Sequence, residues 1–338
     1  MYDYDYVNKK YGRIFQEGEI KKYSSKIFSI LKSIENSEGV TLIYSQYIDS
    51  GVLPMALTLE EAGFVRCGKT KSLLKSTIRP VPKSITVNGK KRTLQYSIIS
   101  GEKSLSPNNV EELALLTNDD NKDGDIVKVV IITQAGSEGL DFKFIRQVHI
   151  MEPWYNMNRI EQIIGRAVRN CSHKLLPLEK RNVMLFLHGT ILKDEKEQAA
   201  DIFVYKHAEL KSVQIGHISR LLKENSVDCL LNIENNFDVD VVNEVIHIVL
   251  SNGKEIEYQI GDKPYSSTCD YMENCNYTCN PNLKFKEQPI NDKTYNKEFI
   301  SMNIDKITSK IRDLMKTNFF FKKETLIPLI NNKIQYSD

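Results

Sequence analysis

The run Val127-Lys128-Val129-Val130-Ile131-Ile132 constrains this chain most. Every residue in it except Lys128 is β-branched, and such side chains are stiff in helices and pack well on a pleated surface. A short apolar run with no polar alternation predicts a strand covered on both faces. Val40–Tyr44, Tyr96–Ser100, Gln147–Met151 and Val183–Leu187 carry the same signal. Helical spacing separates them, over Asp49–Ala62 before Gly63, from Ser106-Pro107-Asn108-Asn109 to Thr117, and over 157–170. Short buried strands alternating with helices predict an α/β fold, a parallel sheet with helices on both faces, over roughly 38–190.

At 338 residues, 41% apolar and 27% charged, the chain has the length of about two domains and can bury a sizeable core. That composition excludes collagen-like, coiled-coil and wholly disordered chains. No apolar run approaches the roughly 18 residues a membrane helix needs, so no membrane partner is expected. The start, Met-Tyr-Asp-Tyr-Asp-Tyr, is acidic and aromatic, unlike a secretory signal, and an intracellular setting is expected.

Three parts are expected: a lead-in over 1–38 with an amphipathic stretch Tyr23–Ile34, the α/β domain over 39–190, and an extension over 191–338. The extension is mostly helical (Ala199–Leu222, Ile304–Leu314, Lys323–Ile330), with a hairpin around Asn252-Gly253. A basic insertion over 65–95 reads as a hairpin around Asn88-Gly89. Forty-six basic against 44 acidic residues leave a charge of +2, which says nothing about partners. The distribution says more: Phe64–Gln95 holds nine Lys/Arg and no acid. Such a run attracts phosphate backbones, or is a solvated loop.

The chemistry concentrates in 133–170. After the strand ending at Ile132 comes Gly136-Ser137-Glu138-Gly139-Leu140-Asp141. Ligands bind outside the carboxyl ends of parallel strands, and glycines let backbone approach them closely. Asp141 would then hold a sugar hydroxyl. The next helix places Arg159, Gln162, Arg166 and Arg169 on one face, with Ile160, Ile163, Ile164 and Ala167 opposite. Aligned guanidinium groups without an acid call for an anion, and their permanent charge suits a transferring phosphoryl group.

These segments resemble superfamily 2 helicases. Gly136–Asp141 resembles motif V, Gln162-x-x-Gly165-Arg166-x-x-Arg169 resembles motif VI, and Leu42–Tyr47 resembles motif IV, in the order of the second RecA-like domain. Ile43–Gly51, His149–Asn156 and Asp201–Tyr205 are similar to the helicase and transcription-factor ATPases of nucleocytoplasmic large DNA viruses. The resemblance implies that Arg166 and Arg169 are catalytic arginine fingers. Gln162, Gly139 and Asp141 would serve ATP. Ser45, Gln46, Gly136 and Ser137 would line a nucleic-acid groove, for DNA rather than RNA.

Such an ATPase needs a first RecA-like lobe, with a Walker A loop and an acidic box for Mg²⁺. Gly63-Phe64-Val65-Arg66-Cys67-Gly68-Lys69-Thr70 matches the Walker A string, but it follows a helix where a P-loop follows a strand. The chain is therefore expected to be the C-terminal lobe of a helicase or translocase serving viral transcription or DNA remodelling. ATP and Mg²⁺ would act only with a first lobe in cis or trans, and a viral RNA polymerase is a further expected partner. The alternative is a non-catalytic nucleic-acid-binding or docking module of a viral transcription complex.

Six cysteines are too sparse for a disulfide scaffold, which points to a reducing compartment. Cys269, Cys275 and Cys279 would bind zinc with a distant fourth ligand such as Cys229, or be free structural thiols.

Overall fold

The computed structural model describes residues 3–87, 90–134, 140–192, 197–235, 244–282 and 297–331. The chain divides into two compact units, Met1–Leu283 and Lys284–Asp338.

The first unit is built on a six-stranded sheet. Its strands are β1 (Val40–Tyr44), β2 (Val65–Arg66), β5 (Gln95–Ile99), β6 (Val129–Ile132), β7 (Ile145–Ile150) and β8 (Met184–Leu187). They lie in the order β2-β5-β6-β1-β7-β8, and every pairing is parallel. β1 is central, with Tyr44 level with Ile132 on one side and Ile150 on the other. Successive residues of a strand point to opposite faces. Ile43, Val129 and Ile131 accordingly join one buried cluster, and Leu42, Val130 and Ile132 the other. Both faces are covered at the central strands, which explains why β1 and β6 read as unbroken apolar runs, whereas edge strand β8 leaves Leu185 and Leu187 about half exposed. Each fully buried Val or Ile contributes about 1.5–3 kcal/mol, so the sheet is the stable centre of the unit.

The first face is covered by α1 (Glu17–Tyr23), α2 (Ser25–Glu35) and α3 (Leu53–Glu61). The single amphipathic helix expected from Tyr23 is two helices. Ser24 is extended at φ −150°, and its hydroxyl accepts the Ile27 amide at 3.2 Å, so it closes one helix and caps the next. The second face carries α4 (Asn109–Leu116) and α5 (Met157–Ala167). The helix expected to reach 170 stops at Ala167, where Val168 turns out at ψ 70°. Arg169 therefore stands beyond α5 rather than on its face.

The basic insertion is an antiparallel hairpin of β3 (Ser84–Val87) and β4 (Lys90–Thr93). Its expected turn, Asn88-Gly89, lies outside the described residues. The Walker-like string leaves α3, forms edge strand β2 and enters a turn. Among the described residues no helix opens after Lys69 until α4, so the string lacks P-loop geometry.

The rest of this unit holds α6 (Ala200–Glu224), α7 (Cys229–Asn232) and a hairpin of β9 (Val245–Val249) and β10 (Glu255–Gln259). The cysteine expectations fail here. Cys229 is bonded to Cys279 and Cys269 to Cys275, so no thiolate of the expected zinc set remains. Among the described residues no other cluster has metal-ligand chemistry. The count of six misled because four cysteines fall within 229–279, dense enough for a local scaffold. Arg220 fastens the stapled loop to α6, its Nε donating to Asp270 at 2.8 Å and its Nη2 to the Cys269 and Asn274 carbonyls at 3.0 Å. Gly216 makes room, since a Cβ there would lie 1.9 Å from the Asp270 carbonyl oxygen.

The second unit contains α8 (Lys297–Met315) and α9 (Lys323–Asn331), joined by Lys310 Nζ donating to the Ile330 carbonyl at 2.7 Å. Among the described residues no helix is long and apolar enough to cross a membrane.

Candidate functional site

The candidate site lies at the carboxyl ends of β1, β6 and β7. α5 is anchored there by buried Ile160, Ile163 and Ala167. Gln162 and Gly165 are therefore exposed and Arg166 half-exposed. Arg166 Nη1 donates to the Leu140 carbonyl at 3.4 Å. Arg169 Nη2 meets Asp141 Oδ1 at 2.9 Å, with both side chains substantially open to solvent. The geometry thus joins the ends of the two segments that sequence treats as separate, Leu140-Asp141 and Arg166–Arg169. Gly136, Ser137 and Gly139 lie outside the described residues.

Arg159, two turns before Arg166, does not continue the row. Its guanidinium stacks 3.8 Å from the Trp154 ring centroid. Near it, burial raises the Tyr44 phenol pKa, and the Arg159 charge opposes that rise.

The loop after β1 is organised by Glu152, which sequence reasoning missed. Ser45 Oγ donates to Glu152 Oε1 at 3.0 Å, and the Gln46 amide donates to Oε2 at 3.3 Å. Burial raises the Glu152 pKa despite these donors. Ser45 is fully buried, so its expected contact with a phosphate is corrected: it orders the loop and presents nothing to solvent. Gln46 remains half-exposed. Gly51 is required because a Cβ would stand 1.9 Å from Ser45 Oγ.

Beside this loop Lys26 Nζ donates to the Met151 carbonyl at 2.7 Å and to Asp201 at 3.0 Å. Burial would raise the Asp201 pKa, but the Thr190 amide and Lys26 outweigh it and hold the carboxyl below its usual range. The signal for Glu152 and Asp201 was available: one is an acid directly after a buried strand, the other an acid in the first turn of a long helix.

A six-stranded parallel sheet thus carries an arginine-bearing helix at its carboxyl edge. Residues 25–171 match the model of the helicase conserved C-terminal domain.

The relatives are proteins of large DNA viruses. A putative ATP-dependent RNA helicase, R563, of Acanthamoeba polyphaga mimivirus is 32% identical over 63% of this chain and 34% of its own length. The termination factor NPH-I homolog of African swine fever virus (isolate Warthog/Namibia/Wart80/1980) is 28% identical over 64% of this chain and 34% of its own. A second mimivirus protein, putative ATP-dependent RNA helicase L377, is 24% identical over 94% of this chain and 30% of its own. The chain thus spans about a third of the length of these curated relatives.

Proposed function

We propose that this chain acts as the C-terminal lobe of an ATP-dependent superfamily 2 helicase or translocase. Arg166 and Arg169 are its arginine fingers. The carrying observation is their place at the carboxyl edge of the sheet, tied to Leu140 and Asp141 and open to solvent. A guanidinium held by one exposed carboxylate can exchange it for a phosphate at little cost, because such pairs are worth only about 0–1 kcal/mol.

In this reading ATP and Mg²⁺ are presented by a first RecA-like lobe. Gln162, Gly139 and Asp141 contact the nucleotide, and Gln46, Gly136 and Ser137 follow the nucleic-acid strand. DNA is the expected strand, and viral transcription or DNA remodelling, in company with a viral RNA polymerase, is the expected setting. The names of the relatives, two RNA helicases and a termination factor, support helicase chemistry and leave DNA or RNA to experiment.

The test is ATP turnover by this chain alone and with a first lobe supplied, each with and without DNA. The chain alone should turn over negligible ATP. The pair should hydrolyse it in a Mg²⁺-dependent way, and Arg166→Ala should lower the rate by about 10³. An Arg166→Ala pair as fast as the unaltered one would refute the finger assignment. Nucleic-acid binding without turnover in any pairing would favour the docking module instead.

A further inference from the structure

The short connection between α8 and α9 carries Phe319-Phe320-Phe321. Both of its ends are fixed. The Thr317 and Asn318 amides donate to the Leu314 carbonyl at 3.1 and 3.2 Å, closing α8. The Thr325 and Leu326 amides donate to the Lys322 carbonyl at 3.1 and 3.0 Å, opening α9. Between these ends Phe321 is half-buried, while Phe319 is fully exposed and Phe320 is 74% exposed. Single apolar side chains at a surface are ordinary, but two adjacent phenyl rings held out at the tip of a helical hairpin mark a surface that something else covers.

The charge around the rings selects what covers them. The segment from Lys310 to Glu324 contains Lys310, Arg312, Lys316, Lys322 and Lys323 against Asp313 and Glu324. Asp313 is taken by Lys316 at 2.7 Å, and Lys310 turns its Nζ to the Ile330 carbonyl. Arg312, Lys322 and Lys323 are exposed and make no ion pair among the described residues. Glu324 is the one acid of the segment left to offset these three cations, so a positive excess remains beside the rings.

A partner that satisfies both features joins flat rings to a repeating negative charge. A duplex turns the faces of its bases inward, whereas an unpaired strand offers them. We propose that the α8–α9 connection binds an unpaired nucleic-acid strand. The Phe319 and Phe320 rings stack on its bases, and Arg312, Lys322 and Lys323 meet its phosphates. Every base has a face to stack, so the contact is indifferent to sequence. It belongs to the second unit and uses no residue of the sheet-edge site. From the proposed function it takes only the class of ligand, and it requires neither ATP nor the arginine fingers.

The experiment measures binding of fluorescein-labelled oligothymidine to the full chain by anisotropy, without ATP, beside Phe319→Ser/Phe320→Ser and Lys322→Ala/Lys323→Ala. All four side chains are exposed, so both variants should fold, which their unfolding midpoints check. The serine pair should bind at least ten-fold more weakly. The alanine pair should flatten the slope of log affinity against log salt by about 1.4, the share of two phosphates on a single strand. In a Phe320→Trp chain, oligothymidine should quench the introduced indole, and a duplex of equal length should quench it far less. No saturable binding, unchanged affinity of the serine pair, or no quenching of the indole overturns the proposal. Equal quenching by the duplex overturns the stacking on unpaired bases. Flotation with phosphatidylserine vesicles that the serine pair loses, at unchanged oligothymidine affinity, gives the rings to a lipid surface and overturns it as well. A chain that passes these tests yet supports no ATP turnover with a first lobe keeps this contact and loses the proposed function.

Discussion

At the scale of single residues, two sites make the structure's demands measurable. Gly51 is tolerated only because it lacks a Cβ, which would collide with Ser45 Oγ. Gly51→Ala must displace either Ser45 or the loop that Glu152 holds. It should cost about 1–3 kcal/mol, read as a lowered urea midpoint with unchanged slope. His149 and His188 give a pH dependence. Burial pulls the His149 pKa down to about 3 and that of His188 to about 4, from the ordinary 6.5. In the unfolded chain both rings take a proton near pH 6.5, while the folded chain keeps them neutral, so stability is full above that pH and is lost below it. The slope between about pH 6 and 4 is about 1.4 kcal/mol per pH unit for each ring. Urea midpoints at pH 7, 6 and 5 check it, and His149→Phe should remove about half of the slope. A flat wild-type profile would contradict the buried neutral pair.

At the scale of elements, α5 and the segment beyond its C-terminus separate function from stability. The Arg169–Asp141 pair is exposed, so Arg169→Ala should change stability by less than about 1 kcal/mol, while ATP turnover of the reconstituted pair falls sharply. A loss of fold equal to the loss of activity would mark Arg169 as structural. The strands were legible because burial on both faces leaves a continuous apolar run, as in Val129–Ile132. The core face of α5 was legible for the same reason, since Ile160, Ile163 and Ala167 recur at helical spacing. The stop at Val168 was not, because no glycine or proline marks it, and so Arg169 was placed on the wrong element. The reach of Glu152 back to Ser45 across 107 residues has no local signature either.

At the scale of the whole molecule, the disulfides matter most. Cys229–Cys279 spans 50 residues, and closing such a loop restricts the unfolded chain by about 4 kcal/mol. Reduction should therefore lower the unfolding midpoint of the first unit. The sheet contains no cysteine of either bridge, so far-ultraviolet circular dichroism should keep its strand signal under mild reduction. The pairing was hidden from sequence because spacing cannot choose among connectivities, and because the fastener is Arg220, far away on α6.

The central place of β1 has a consequence for synthesis. Its partners β6 and β7 end at Ile132 and Ile150, so the ribosome must add about a hundred more residues before this strand has neighbours on both sides. At about 5–20 residues per second that is a wait of about 5–20 seconds with Val-Thr-Leu-Ile-Tyr uncovered. Pausing translation between Tyr44 and Val129, which prolongs that interval, should therefore increase aggregation of the nascent chain.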